Sequence, residues 1–583
     1  MGAAAGEGGS QVTADITPEG RIRAVCTGDE DAAFLRKLLP ARRQRDGAWL
    51  LPLTAAMTAL LQAHGAALSP QLARYAQGCE RVQRYVEAVK LAGPGEPLKP
   101  PPLRAPYTLY QHQCKAYSIA LALPCCALLM DMGTGKSICT VMVAGRRYLD
   151  GKIRRLLIVA PTSVCAVWPA EFARFGDFPA QVRLLLGTRA QRVRALQALT
   201  APTAGDALQV AVINYEAVWR VTDAAGKRDY LQEYRPDMIV LDESQRIKNP
   251  QAKQSRALHR LGDGARYRMI LTGTPIQKNT LDLWSQYRFL DPTVFPCSFY
   301  AFQQRYAVLG GYNGKQYLCP RNLPELTRRT HALAYRVRKE DCLDLPEKIF
   351  EDRPVLLDGR THKLYQQLAR DAIAELESCE ITANHVLTRM LRLQQVTGGF
   401  LRDDAGALHQ VHTAKLDALC DIAAALCLDE GKKLVVFARF LAELDAIQGR
   451  LEAMLGAAGL TPVRIDGSVA SRDRGGLVEA FQTEEDCRVF LGEIDACAEG
   501  LTLTAASTAV YYSVNWNYAK YDQSLSRIHR IGQQGACTYI HLIAPHTIDE
   551  RIMDALHRKE DLARSVVDCW RELLMPDKEG GAK

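Results

Sequence analysis

No Cys-x-x-Cys pair occurs among the 17 cysteines of this chain, which leaves neither a zinc site nor a disulfide framework. The odd count fits reduced, mostly buried thiols. No run approaches the roughly 18 uninterrupted apolar residues of a membrane span. The opening Met1-Gly2-Ala3-Ala4-Ala5-Gly6-Glu7-Gly8-Gly9-Ser10 has no charged region followed by an apolar one, so a secretion signal is not expected. These absences predict a cytosolic protein without a membrane partner. What is present is ordinary globular material, 583 residues with 48% hydrophobic and 24% charged. That is room for about three or four domains. A net charge of +8 permits a polyanionic partner without demanding one.

Residues 1–10 are small and read as a flexible N-terminus. Over 11–92, the pattern Ile22-Arg23-Ala24-Val25, a helix-like Phe34-Leu35-Arg36-Lys37-Leu38-Leu39 and a second helix from Thr54 predict a compact α+β module and a helical segment. Arg42, Arg43 and Arg45 share one basic turn of that module. Residues 93–106, with Pro94, Pro97, Pro100, Pro101 and Pro102, form a linker stiffened toward polyproline II. From 107 to 290, apolar runs at 125–130, 156–160, 210–215, 238–242 and 268–272 alternate with helical stretches, which predicts βαβ units on a parallel sheet. A second set at 433–437, 463–465, 488–491, 509–512 and 539–543 falls within 426–560. The intervening 291–425 reads mainly helical, an insertion between two lobes, and 561–583 reads as a C-terminal helix and tail. The expected fold class is therefore α/β: two parallel-sheet lobes, a mainly helical insertion and a small N-terminal α+β module.

Residues 130–137, Met-Asp-Met-Gly-Thr-Gly-Lys-Ser, follow directly on an apolar run. Gly133 and Gly135, on either side of Thr134, let backbone N–H groups cradle phosphates where a helix N-terminus adds a favourable dipole. Lys136 would reach the β/γ-phosphates, and Ser137 would offer its hydroxyl to Mg²⁺. Met130 stands where the consensus has a small residue, and a plain strand-to-helix turn reads similarly in isolation. A second element narrows the choice. Met238-Ile239-Val240-Leu241-Asp242-Glu243-Ser244-Gln245 is an apolar strand ending in two carboxylates, where an open parallel sheet presents groups to a ligand. Asp242 can hold Mg²⁺ through water and Glu243 can polarise a water attacking the γ-phosphate; alone, such a pair is equally a solvated turn or cap. Together the two elements imply ATP and Mg²⁺. Near the C-terminus, Arg527 and Arg530 are three apart and would share one face of a helix, with guanidinium forks suited to phosphate oxygens. A cation brought to the γ-phosphate from a second lobe is typically worth ~10³–10⁵ in rate, and a solvated basic face is the alternative.

Set in order with their neighbours, these segments resemble the Swi/Snf-like ATPases of helicase superfamily two over roughly residues 107–560. Leu109-Tyr110-Gln111-His112-Gln113 resembles the adenine-reading entry motif, with Gln113 in the reading position. Leu157-Ile158-Val159-Ala160-Pro161-Thr162-Ser163, with Trp168 and Glu171-Phe172 after it, is similar to the next strand and its DNA-facing loop. Asn214-Tyr215-Glu216 closes a further strand. Leu271-Thr272-Gly273-Thr274-Pro275-Ile276-Gln277 resembles the motif that couples hydrolysis to DNA movement. Phe437-Ala438-Arg439-Phe440, Asp466-Gly467-Ser468 and Gly500-Leu501-Thr502-Leu503-Thr504 follow in the second lobe. Gln523-Ser524-Leu525-Ser526-Arg527-Ile528-His529-Arg530-Ile531-Gly532-Gln533 closes the series.

The resemblance implies two RecA-like lobes, ATP hydrolysis with Mg²⁺, a double-stranded or branched DNA partner and monomeric action. It implies catalytic roles for Asp242, Glu243, Arg527 and Arg530. Coupling roles fall to Gln245, Thr272, Thr274 and Gln523, and DNA contacts to Pro161, Thr162 and Thr502. Gln245 stands where many relatives carry His, keeping a hydrogen-bonding group and losing a titratable one. Ala498-Glu499 precedes Gly500 where relatives have small residues, and Glu499 is expected to weaken DNA approach. The N-terminal module, with Phe34, the basic turn and Trp49-Leu50-Leu51-Pro52-Leu53, is similar to the HARP-type domain of annealing helicases, which implies fork remodelling or strand annealing. A generic bacterial or phage relative, acting at the nucleoid, carries equal weight. No nucleosome-binding reader, nuclear localisation run or long acidic tail points to a chromatin remodeller. Two alternatives stand beside a double-stranded DNA translocase. One is a strand-separating DNA or RNA helicase; the other is a non-catalytic clamp, against which intact Lys136, Ser137, Asp242, Glu243, Arg527 and Arg530 argue.

Overall fold

The computed structural model describes residues 12–567 apart from short segments at 39–40, 93–96, 201–205, 224–227, 297, 312–313, 315, 343–344, 378–382, 404–405, 471–472, 498–500 and 531. The N-terminal 1–10 and the tail beyond 567 fall outside the described residues, as do Ala498, Glu499 and Gly500. A first unit runs to Arg338 and a second from Lys339 to Leu562.

The first unit opens with five short strands, β1 (Thr13–Ile16), β2 (Arg21–Val25), β3 (Arg42–Arg43), β4 (Trp49–Pro52) and β5 (Ala67–Leu68), in the order β3-β4-β2-β1-β5. Strand alternation in β2 sends Ile22 and Ala24 inward and Arg21 and Arg23 outward. The helices Asp29–Lys37 and Ala55–Ala63 close the core through Leu35, Met57 and Leu61, which pack with Trp49 and Leu51. Thr54 starts the second helix as its N-cap, the hydroxyl accepting from Met57 N at 3.2 Å. The helix Pro70–Leu91 then leads out of this sheet. Near its end Lys90 is buried and donates to His331 O at 2.6 Å, and burial pushes its pKa down to about 8.

The larger sheet of this unit is parallel throughout. Its strands are β6 (Cys125–Met130), β7 (Arg155–Ala160), β8 (Ala180–Leu184), β9 (Leu208–Asn214), β10 (Met238–Asp242), β11 (Tyr267–Thr272) and, after the hairpin β12 (Ala307–Gly310) and β13 (Gln316–Pro320), β14 (Ala334–Val337). They lie in the order β14-β6-β11-β10-β7-β9-β8. Every residue of β6 and β10 is buried, as parallel strands covered on both faces require. The second unit has its own parallel sheet. There, β15 (Lys348–Pro354) precedes a small pair, β16 (Phe400–Arg402) and β17 (Leu408–Gln410), and then β18 (Leu434–Ala438), β19 (Val463–Ile465), β20 (Val489–Glu493), β21 (Thr508–Tyr511) and β22 (Cys537–Ile543). The six-stranded order is β15-β22-β21-β18-β20-β19. The two parallel-sheet α/β lobes are as the sequence led us to expect.

The segment 291–425 differs from the reading as a helical insertion. It carries the helices Phe299–Tyr306, Leu323–Ala332, Gly359–Glu377, Ala383–Thr397 and Ala414–Ala423, but it also supplies β14 to the first sheet and β15 to the second. A four-residue strand is too short for its periodicity to stand out. β15 is an edge strand with most positions exposed or half-buried, so it lacks the apolar run that marks an inner parallel strand.

In the second unit, Lys415 Nζ meets Asp549 Oδ2 at 2.7 Å, and both side chains are almost fully buried. Thr397 Oγ1 and Ala544 N donate to the same carboxylate, and Lys415 also donates to Tyr512 O. The pair therefore joins three helices to the ends of β21 and β22. Lys415→Met strands the carboxylate in the core and is expected to destabilise this unit by about 3–5 kcal/mol. Chemical unfolding reads this directly, and a transition within about 0.5 kcal/mol of the parent would show that the core tolerates the unpaired acid.

Candidate nucleotide site

At the carboxyl end of β6 the chain turns through Gly133 (φ 83°) and Gly135 (φ 94°) into the helix Lys136–Leu149. Both glycines sit in left-handed backbone that side chains resist. A Cβ on Gly135 would collide with Gln113 Nε2, so only glycine lets the Gln113 amide pack directly on the loop backbone. Thr134 is buried and its hydroxyl donates to Asp131 O at 2.7 Å. Its carbonyl accepts from His112 Nε2 at 2.8 Å and from Gln113 Nε2 at 3.2 Å. Gln113 also accepts from Tyr110 N at 3.0 Å, which fixes its amide against the loop. Lys136 Nζ donates to Met130 O at 2.8 Å and Asp131 O at 3.2 Å, so its ammonium lies within the loop, and Ser137 follows it half-buried.

Asp242 ends β10, and Glu243 after it adopts φ 54°, an uncommon conformation for a residue with a side chain. Both are more than nine-tenths buried. Burial, then the neighbouring Glu243 charge, hold the Asp242 carboxyl well above the usual range, while Lys136 pulls it down. Gln245 Nε2 donates to Glu243 Oε2 at 2.6 Å, and Tyr215 Oη donates to Asp242 O at 2.7 Å. After β11, Thr274 N donates to Thr272 Oγ1 at 3.0 Å. A Cβ on Gly273 would lie 3.2 Å from Met130 O, so this loop abuts the phosphate loop. Gln245 Oε1 and Thr274 Oγ1 are buried and have no hydrogen-bond partner among the described residues, a costly arrangement that calls for a ligand or water. The donor set fits a magnesium nucleotide: a glycine cradle, an ammonium, a hydroxyl at Ser137 and a buried acid pair whose mutual repulsion a divalent cation would relieve.

One further group was not legible from spacing. Arg336, on β14, donates to Asp131 Oδ1 at 2.7 Å and more weakly to Leu129 O and Gly273 O, clamping the phosphate loop to its neighbour. A lone arginine 205 residues from its partner carries no local signal.

At the loop after β7, Pro161 is buried and begins the short helix Thr162–Cys165, with Thr162 exposed. In the second unit the expected helix face for Arg527 and Arg530 is not found. The helix Tyr518–Leu525 ends before them; Arg527 lies in the turn that follows and Arg530 in the bend after it. The reason is a main-chain bond: Leu503 N donates to Arg527 O at 3.0 Å, drawing that residue out of helical register. The two side chains converge instead on one segment. Arg527 is fully buried and donates to Gln523 O and Leu501 O, while Arg530 donates to Thr502 Oγ1 at 2.8 Å. Gln523 is buried beside them, its Oε1 without a hydrogen-bond partner among the described residues.

Among the described residues no helix is long and apolar enough to cross a membrane. Comparison with known families matches residues 102–398 to the SNF2-related domain and residues 414–532 to the helicase conserved C-terminal domain. The putative ATP-dependent helicase/translocase YwqA of Bacillus subtilis is 28% identical over 75% of this chain and 46% of its own length. The DNA annealing helicase and endonuclease ZRANB3 of Mus musculus is 28% identical over 79% of this chain and 40% of its own. The chain thus spans less than half the length of these curated relatives. A solved SWI2/SNF2 ATPase core from Sulfolobus solfataricus, in complex with double-stranded DNA, aligns with 82% of this chain and 97% of that one at 23% identity and a TM-score of 0.38. With the first of these family matches taking in just over half of its residues and the second following in order, the chain belongs to the SNF2-related family.

Proposed function

We propose that this chain is a DNA-dependent ATPase that couples ATP hydrolysis to movement on double-stranded DNA. The observation that carries the reading is the convergence of the phosphate loop, the acidic turn and the 272–277 loop at the carboxyl edge of one buried parallel sheet. The N–H groups around Gly133 and Gly135 orient the phosphates, and Lys136 leaves Met130 O and Asp131 O to meet their charge. Glu243, held by Gln245, orients the attacking water. Ser137 and Asp242 would hold Mg²⁺, which would supply charge neutralisation at the phosphates. Arg530 and Arg527 come from the second lobe to the γ-phosphate on closure. Sequence-independent affinity comes from contacts to the phosphate backbone through the loop around Pro161 and Thr162 and through Thr502, and the chain acts as a monomer.

ATP turnover with and without DNA tests this. Double-stranded DNA is expected to raise turnover about tenfold or more. Stimulation by single strands or RNA alone would favour strand separation, and turnover absent under all conditions would leave a clamp.

We infer further that the N-terminal module directs the activity to branched DNA, in line with the annealing activity in the mouse relative's name. Arg42, Arg43 and Arg45 are exposed together at one end of its sheet, with Arg43 5.9 Å from the Trp49 ring. Their joint replacement by Ala is expected to weaken forked-DNA binding and flatten its salt dependence by about 0.9 for each phosphate no longer neutralised. Turnover stimulated by linear duplex should persist. Fork affinity and salt slope both unchanged would mean that the turn is only a solvated one.

A further inference from the structure

We propose that Gln286 is a positioning residue that ties the hydrolysis turn to the 272–277 loop, so that DNA engagement sets the attitude of Glu243. The inference rests on the function proposed above. Gln286 is fully buried in the helix Asp282–Leu290, where every residue but Arg288 is buried, a setting where an amide is costly unless every polar atom is partnered. Every one of them is. Its Oε1 accepts from Ser244 Oγ at 2.7 Å, and its Nε2 donates to Pro275 O at 2.8 Å and Asp282 O at 2.9 Å. Two carbonyls can only accept, so the amide nitrogen must face them and the oxygen must face Ser244. One side chain therefore bridges the residue after Glu243 to the loop after β11.

Other contacts make this bridge stiff. Asp282, one turn earlier on the same helix face, accepts from Gln277 N at 2.9 Å and Lys278 N at 2.7 Å, so the helix holds the far end of the loop too. Lys248 Nζ, just past the acidic turn, donates to Gln277 Oε1 at 2.6 Å and forms a second strap. Immediately before the first strap, next to Ser244, Glu243 holds its left-handed conformation, a state that persists only where the surroundings over-determine it. A displacement of the loop is thus passed through Gln286 to Ser244, and from there to the carboxylate that Gln245 holds. Methionine at 286 would keep the volume and lose all three bonds.

The experiment uses the full chain with Gln286→Met, Ser244→Ala and the double variant. ATP turnover is measured without DNA and at saturating double-stranded DNA. Gln286→Met is expected to lose about tenfold in DNA-stimulated kcat. Its unstimulated turnover, KM for ATP and duplex affinity should stay within about twofold of the parent. Ser244→Ala, which cuts the same bridge with a smaller change in shape, should lose stimulation comparably, and the double variant should be no worse than the poorer single. A merely structural role would lower unstimulated and stimulated turnover together and keep their ratio. Retention of the parent's stimulation ratio by Ser244→Ala and by Gln286→Met overturns the inference alone; if Gln286→Met does not fold, Ser244→Ala decides. Additive losses in the double variant also overturn it. A parent protein unstimulated by double-stranded DNA overturns the function proposed above, and the inference with it.

Discussion

Replacing Lys136 by alanine is expected to abolish ATP turnover and weaken nucleotide binding. Its ammonium is the one cation in the 130–137 sequence, and it lies against Met130 O and Asp131 O, within reach of any phosphate seated over Gly133 and Gly135. Removing it takes away the point charge that meets the β/γ-phosphates and also relieves the field that pulls Asp242 toward ionisation. Glu243→Gln should behave differently. It keeps the volume and a hydrogen-bond acceptor for Gln245, so nucleotide binding should survive while hydrolysis falls by several orders of magnitude. Fluorescent-nucleotide titration beside steady-state turnover separates the two variants. Parental turnover in either would mean that the nucleotide site is misassigned.

Arg530→Ala is expected to lower kcat by ~10³ while nucleotide affinity barely changes, because a contact completed only in the closed state contributes to the transition state and little to binding. Arg530→Lys should rescue little, since an ammonium cannot reproduce the planar fork. Arg530 is the cleaner probe of the pair. Arg527 is fully buried, and its loss would strip Gln523 O of its guanidinium donor and leave Leu501 O only the longer bond from Arg530, costing about 1–3 kcal/mol of stability besides any effect on rate. Duplex affinity without nucleotide, and its salt slope, should stay at the parental values. Normal turnover with a shallower salt slope would show that Arg530 grips the DNA backbone instead.

The features legible in the sequence are those whose cause is local. A strand buried on both faces must be an unbroken apolar run, and Cys125–Met130, Met238–Asp242 and Leu434–Ala438 announce themselves that way. The phosphate loop is legible because Gly133 and Gly135 are there for backbone reasons visible one residue at a time. What was not legible depends on the third dimension. Edge strands such as Ala180–Leu184 carry Gln181 and Arg183 and need no apolar run. Arg527 and Arg530 have helical spacing, yet a main-chain bond from Leu503, 24 residues earlier in the chain, decides their conformation. Arg336 and Gln286 look like one more surface arginine and one more helix glutamine until the sheet brings Asp131 and Ser244 to them.

If hydrolysis drives movement along a duplex, displacement of a third strand from a triplex reads that movement without requiring the duplex to open. With ATP, the protein loaded on a flanking duplex should release the third strand at a rate that follows turnover. Glu243→Gln, holding ATP, should bind the same DNA and release nothing. Release at equal rates by Glu243→Gln, or hydrolysis by the parent protein with the triplex left intact, would mean that hydrolysis does not drive movement.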